Sequence, residues 1–355
     1  MALRPAPRYA KAVGRGRSVW ALSGAWVATS VWVAISADAA GWSALILHAE
    51  PLLWLAAALG AYGAVQVRRY SLAVLLVFGT TGAAVLWRLP LPAPRPVAPA
   101  PAPPAWLGSV RRCAASLAAP EGGVSLLQWT VDPGMDAAAI VRTVVALSPD
   151  VTVLHRLTDA SVLDRIQGAL GGDILLEAAE APWNSVGLHT RGEFPLCGPA
   201  GVWREGAAPG PGYLLAFVSP AEDRTFPLLV TRLPEPYLSP EWATSVDVTL
   251  QQLGVVFDAL AAPAALLVAD ASATATYHVL NARLGESGMR VIPTPPNWPI
   301  HVEGLAFLPL HPYDRAWSGP AWSPRAWRVD VDAGTHAPLY FTLEPARRTG
   351  RYQAP

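Results

Sequence analysis

The chain has 355 residues with 26 basic and 26 acidic side chains, 36 prolines, 29 glycines, 15 tryptophans and 2 cysteines. A composition that is 52% hydrophobic and 15% charged excludes a disordered chain and points to membrane segments, while Cys113 and Cys197 alone exclude a disulfide-rich scaffold. The neutral total hides a division: nine basic residues precede Trp106 against only Asp38 and Glu50, so the remainder is net −7.

Residues 1–18 form a basic N-terminus carrying Arg4, Arg8, Lys11, Arg15 and Arg17. Residues 19–88 predict a three-helix transmembrane anchor, with apolar runs at 19–37, 42–66 and 71–87 and the turn Val67-Arg68-Arg69-Tyr70 between the last two. Each run can cross a hydrocarbon core of about 30 Å at about 1.5 Å per residue. A secretory leader shares the charged-then-apolar pattern of the first run, but two further runs follow it and argue for an anchor. Basic residues in the N-terminus and the Arg68-Arg69 loop, with none in the loop at 36–43, predict a cytoplasmic N-terminus. Three spans then export the rest, giving a multi-pass protein of the inner (cytoplasmic) membrane with its C-terminal domain on the periplasmic side. Residues 89–105 alternate proline with alanine and valine, as in Pro99-Ala100-Pro101-Ala102-Pro103-Pro104, and predict an extended linker.

From 106 to 345 the pattern is that of one α/β or α+β domain, followed by a tail at 346–355. Strands are expected at 123–130, 151–157, 174–178, 185–190, 213–219, 226–233, 264–269, 305–310, 326–331 and 338–343. Helices are expected at 136–147, with Asp136 as N-cap, and at 161–170, 241–262 and 276–284.

Several landmarks then line up in order. Leu126-Leu127-Gln128-Trp129-Thr130 opens the series, and Ser148-Pro149-Asp150 leads into a strand ending at His155-Arg156. Gly187-Leu188-His189-Thr190-Arg191, Val230-Thr231-Arg232-Leu233, Ala269-Asp270-Ala271-Ser272, Val302-Glu303 and Gly334-Thr335-His336-Ala337-Pro338 follow. In order and spacing the series resembles the endonuclease/exonuclease/phosphatase superfamily, metal-dependent phosphodiesterases built as a two-layer α/β sandwich with one active site between the sheets. The resemblance covers roughly residues 124–343.

What the resemblance implies is a site that has changed its chemistry. A hydrolysed phosphodiester needs a carboxylate-held divalent ion, hydrogen-bond donors and an acid/base group. At the matching positions Asp270 and His336 are retained as catalytic residues, and Glu303 stands for a metal-binding aspartate. Thr130 replaces an asparagine, Arg156 the metal-binding glutamate, Arg232 a phosphate-contacting histidine, Ser272 an asparagine, and Thr335 the aspartate that orients the final histidine. Replacing a metal carboxylate by a guanidinium reverses the local charge. Asp132 or Asp159 could supply a substitute carboxylate if the loops bring them in.

The residues also have simpler readings. Asp270 also reads as the cap of a turn, His336 as a half-buried histidine held by shape, and Arg156 with Arg232 as partners of Asp270 and Glu303 in a buried ion-pair network. Two guanidiniums could instead hold a phosphate or carboxylate. Trp298, Trp317, Trp322 and Trp327 either pack loops onto the sandwich or form an aromatic surface. His155, His189, His278, His301 and His311 have no zinc-ligand spacing.

Two functional expectations follow. One is a degenerate domain acting as a binding or scaffolding protein, with no cofactor. The other is an active phosphodiesterase or phosphatase with Mg²⁺ or Mn²⁺, acting on a lipid headgroup or small phosphoester. Its expected partners are the lipid bilayer, through the N-terminal helices, and an envelope protein or phosphoester ligand. Nucleic acid is not expected, because the exported part is acidic and has no lysine after Lys11.

Overall fold

The computed structural model describes residues 107–117, 121–177, 185–195, 213–221, 224–232, 253–257, 263–270, 284–298, 313–331 and 334–346, with a few shorter pieces. The anchor, linker and tail expectations fall almost wholly outside these residues. Within the anchor, Ala61, Tyr62, Val65, Tyr70, Ala73, Val74, Leu76 and Val77 are helical, so Tyr70 belongs to a helix and not to the expected turn. Among the described residues no helix is long and apolar enough to cross a membrane.

The first half runs α1 (Leu107–Ser116), β1 (Val124–Thr130), α2 (Ala137–Leu147), β2 (Val151–His155), α3 (Ala160–Leu170), β3 (Asp173–Glu177) and β4 (Val186–Thr190). The second half runs β5 (Tyr213–Val218), β6 (Phe226–Arg232), β7 (Leu266–Asp270), β8 (Arg290–Ile292), β9 (His301–Val302), β10 (Leu305–Ala306), β11 (Asp314–Ser318), β12 (Trp322–Arg328) and β13 (Leu339–Pro345). Two sheets result. One has six strands in the order β12-β13-β1-β2-β4-β3, the other five in the order β5-β6-β7-β11-β8, and β9 pairs with β10 alone. The pairs β1/β2 and β6/β7 are parallel; the rest are antiparallel.

Alternation along the strands explains the layers. Leu126, Val153 and Leu188 of the six-stranded sheet meet Leu214, Leu228, Val230, Leu266, Val268 and Ala316 of the five-stranded sheet in one buried cluster. On the opposite face, Leu127, Trp129 and Leu154 lie under Ile140 and Val144 of α2 and Val162, Leu163 and Ile166 of α3. Asp136 caps α2 by accepting the Ala138 N–H at 3.0 Å, as expected. The helix stops where Ser148 turns left-handed (φ 48) and donates its N–H to Val144. Asp159 caps α3 in the same way through the Ser161 N–H.

The structure departs from the sequence expectation mainly after residue 290. Of the strand expected at 305–310 only 305–306 are described, as β10, and an unexpected strand, β11, joins the five-stranded sheet. β8 and α1 were also not foreseen, and β12 begins at Trp322, four residues before the expected start. The expected helices at 241–262 and 276–284 are described only at 253–257, 260, 281 and 284, all of which are helical.

Trp317 is buried and donates its indole N–H to Asn281 Oδ1 at 2.6 Å, and Trp322 packs edge-on against Phe226 at 5.6 Å while donating to Ala264 O. These two are core residues. Trp327 is 44% exposed and stacks on Tyr340.

Candidate functional site

The inner face of the sandwich is apolar along most of its length and turns polar at one end. β1 goes from Val124 and Leu126 to Gln128 and Thr130; β2 from Val151 and Val153 to His155; β6 from Phe226, Leu228 and Val230 to Arg232; β7 from Leu266 and Val268 to Asp270. Parallel pairing puts Thr130 opposite His155 and Arg232 opposite Asp270. β11 runs the other way, so its first residue, Asp314, is the cross-strand partner of Asp270. Gln128, Thr130, His155, Arg232, Asp270, Asp314 and His336 are all buried.

Asp270 is the hub. Its Oδ2 lies 3.1 Å from Arg156 Nε and 3.3 Å from Arg232 Nε. Arg156 follows β2 of the six-stranded sheet, so its pair with Asp270 crosses from one sheet to the other. Its backbone is left-handed (φ 63), a sparsely populated region for a side-chain-bearing residue, and its N–H donates to Ser185 O at 2.7 Å. Burial alone would raise the Asp270 carboxyl, but Arg156 and Arg232 outweigh it and hold the group below its ordinary value. His155 has its pKa lowered, first by burial, and its Nε2 lies 3.2 Å from the Gln128 amide nitrogen, which donates to Ala269 O across the sheets at 3.0 Å.

A second cluster surrounds Asp314. It accepts the Thr130 hydroxyl at 2.6 Å on one oxygen and the Asn297 amide at 2.5 Å on the other, and that second oxygen is 3.6 Å from His336 Nδ1. Asn297 fixes the approach by accepting the Tyr313 N–H at 2.8 Å. His336 sits edge-on to Tyr313 at 4.7 Å, with Trp298 against Tyr313 at 5.2 Å, and its carbonyl accepts the Trp129 indole N–H at 2.9 Å. His336 Nδ1 is buried and faces the Asp314 carboxylate without reaching hydrogen-bond distance.

The structure thus joins Asp270 and His336 in one polar end, with Arg156, Arg232 and Thr130 beside them. Asp270 is the centre of an ion-pair network, as the simpler reading of Arg156 and Arg232 has it, and the turn it is alternatively read to cap lies outside the described residues. The carboxylate that faces His336 Nδ1 is Asp314, which the sequence reading overlooked and which stands at 3.6 Å, beyond hydrogen-bond distance. Thr335 itself gives its N–H and its hydroxyl to Asp132, pinning the turn that carries His336. Asp132 and Asp159 are therefore occupied elsewhere, one holding Thr335 and the other capping α3. Ser272 and Glu303 lie outside the described residues. Asn297 was missed as well. The available signal was the Tyr313-Asp314 pair opening a short alternation of Asp314, Ala316 and Ser318 against Arg315 and Trp317.

These residues do not fit the divalent ion that the resemblance implies. Magnesium gathers oxygen donors at about 2.0–2.1 Å and tolerates no cation in that shell. Asp270 instead meets two guanidiniums, and in a low-dielectric interior each would repel a divalent ion strongly. Among the described residues no group of three His, Cys, Asp or Glu could hold a metal.

Two face-to-face mixed sheets, helices outside and a polar end between them make a two-layer α/β sandwich. Similar solved structures include an endonuclease/exonuclease/phosphatase from Beutenbergia cavernae, at 17% identity and TM-score 0.48 over 64% of this chain and 72% of that one. A humanized TDP2 of D. rerio matches at 16% identity and TM-score 0.47, covering 62% of this chain and 99% of the other. The catalytic domain of human Nocturnin with bound sulfate matches at 12% identity and TM-score 0.45, covering 64% and 95%. No family profile matches the chain. No curated protein matches it either.

Proposed function

We propose that the chain is a membrane-anchored, exported binding or scaffolding protein whose sandwich domain no longer works as a divalent-metal hydrolase. One observation carries this reading: the buried carboxylate of Asp270 is clamped by Arg156 and Arg232 where metal chemistry would need further oxygen ligands. The basic N-terminus, apolar runs and proline-rich linker favour a domain held at a distance from the inner membrane on its periplasmic side, with an envelope protein or a phosphoester as partner. The test is calorimetric titration of Mg²⁺ and Mn²⁺ into the purified full chain, with turnover of bis(para-nitrophenyl) phosphate on the same sample. No saturable binding and no turnover are expected; metal binding with turnover that His336→Ala abolishes would overturn the reading.

A second reading has its own observation. His336 Nδ1 faces the Asp314 carboxylate at 3.6 Å, a gap that a small side-chain shift would close to a hydrogen bond, and this favours a phosphodiesterase or phosphatase acting on a lipid headgroup or small phosphoester. Turnover lost in both His336→Ala and Asp314→Asn would favour it over the binding module.

A further inference from the structure

We propose that Met135 is a redox-sensitive latch on the turn that carries His336: as a thioether it holds that turn in place, and as a sulfoxide it lets go. The proposal goes beyond the reading above and stands whether the polar end only binds a ligand or also turns it over.

Local sequence builds the latch. Asp132-Pro133-Gly134-Met135 joins β1 to α2. Proline presets φ at the second position of a β-turn, Gly134 takes φ 83 at the third, and the Met135 N–H donates to Asp132 O at 3.1 Å, which together make a type II turn. The two end residues of this stiff turn grip one target. Asp132 accepts the N–H and the hydroxyl of Thr335. Met135 covers the residue before it, Gly334 (φ 79), where a Cβ would run into Met135 Cε and would stand 3.0 Å from Asp132 Oδ2 and 3.7 Å from Met135 Sδ. Glycine at 334 is what permits so close an approach. His336 follows two residues on.

The sulfur is also open to chemistry. The chain has three methionines, and Met289 is buried at 6% exposure, whereas Met135 is half-buried, packed on one side against the apolar cluster of α2 and α3. A hydroperoxide oxidises a thioether when the sulfur lone pair attacks its distal oxygen. An S–O bond forms, the O–O bond breaks, the hydroxyl proton passes to the departing oxygen, which leaves as alcohol or water, and sulfur gives up two electrons. The new oxygen accepts hydrogen bonds and donates none. It arrives beside the Asp132 carboxylate, itself an acceptor, which already takes both donors of Thr335. Competition for those donors, and a polar group set against an apolar cluster, both favour release of the turn.

The experiment treats the full chain with hydrogen peroxide, maps methionine oxidation by mass spectrometry and follows single-residue hydrogen exchange in the turn. Met135 is expected to convert at doses that leave Met289 a thioether. The Thr335 amide should then exchange at least about ten-fold faster, the scale of losing a hydrogen bond to a carboxylate. The Ala337 amide, which donates to Asn297 O at 2.8 Å, should keep its rate. A methionine sulfoxide reductase with its thiol reductant should restore slow exchange at Thr335. Met135→Leu, close in volume, should ignore peroxide, and Met135→Gln, which carries a polar oxygen, should exchange fast without it. Conversion of Met135 with no change at Thr335 would overturn the proposal, as would equal acceleration in Met135→Leu or slow exchange in a folded Met135→Gln. Oxidation of Met289 ahead of Met135 would overturn it by showing the sulfur closed to oxidant, and loss of protection throughout the domain would do so by showing a global lesion in place of a local latch.

Discussion

Asp270 shows how one side chain can carry opposite meanings depending on its partners. Fully buried and shared by Arg156 and Arg232, it is costly to remove because two guanidiniums would be left facing each other. Breaking a buried ion pair from one side costs about 3–5 kcal/mol, so Asp270→Ala should lower unfolding stability by that amount in urea titrations. Thr130→Val keeps the shape but deletes a hydrogen bond to the Asp314 carboxylate, and should cost about 1.5–3 kcal/mol in the same assay. Asp270, Arg156 and Arg232 were legible in the sequence because each ends an apolar strand, where a charge stands out. Asp314 was not, because its strand hides its nature. The inward positions, Asp314, Ala316 and Ser318, are polar or small, and the bulky Trp317 points outward and is buried beneath Asn281. An alternation whose apolar member faces away from the main core does not read as a strand.

Among the elements, legibility followed burial. Strands such as β2, β6 and β7, buried at every position, appear as plain apolar runs bounded by polar turns. β8 has only three residues, and α1 carries Arg111-Arg112 in its middle, so neither has a pattern long enough to detect. The turns make testable claims. Ser148 holds a left-handed conformation at the end of α2, which costs a residue with a Cβ about 1–2 kcal/mol, so Ser148→Gly should raise the thermal midpoint slightly. Gly172 stands at φ 81 between α3 and β3, where a Cβ would run into the Thr190 carbonyl. Gly172→Ala should therefore destabilise the domain clearly, and the difference between the two variants can be read in one melting experiment.

For the molecule as a whole, acid is the expected weakness. His155 is held below its ordinary value of 6.5, chiefly by burial, and His189 shifts the same way. The unfolded chain takes up these protons near pH 6.5 while the native chain does not, so stability is complete above that point and falls as pH drops below it. The Asp270 carboxyl, held low in the native state, adds stability above 3.8 that is lost on further acidification, so both effects run in one direction. His155 alone should contribute a slope of up to about 1.4 kcal/mol per pH unit, visible as a lower urea midpoint at about pH 5.5 than at about pH 7.5. The overall layering was legible from the order of strands and helices. The meeting of the two sheets at one polar end came only from the resemblance and not from the strand pattern, because it depends on which strand ends face each other across the core.

The two sheets are stitched at both rims. At the His336 end side chains tie them through Thr130 to Asp314, Gln128 to Ala269 and Arg156 to Asp270. At the opposite rim Arg224 donates to the Gly123 carbonyl at 2.7 Å and the Trp322 indole to Ala264 O at 2.8 Å, and main chain adds the reciprocal bonds between Glu193 and Ser219. Between the rims they are held by apolar contact, which has strength but no direction. The sandwich should therefore open like a book clasped on two edges: amides at both ends of β1 and β7 exchange late with deuterated solvent, and neither rim opens well before the other.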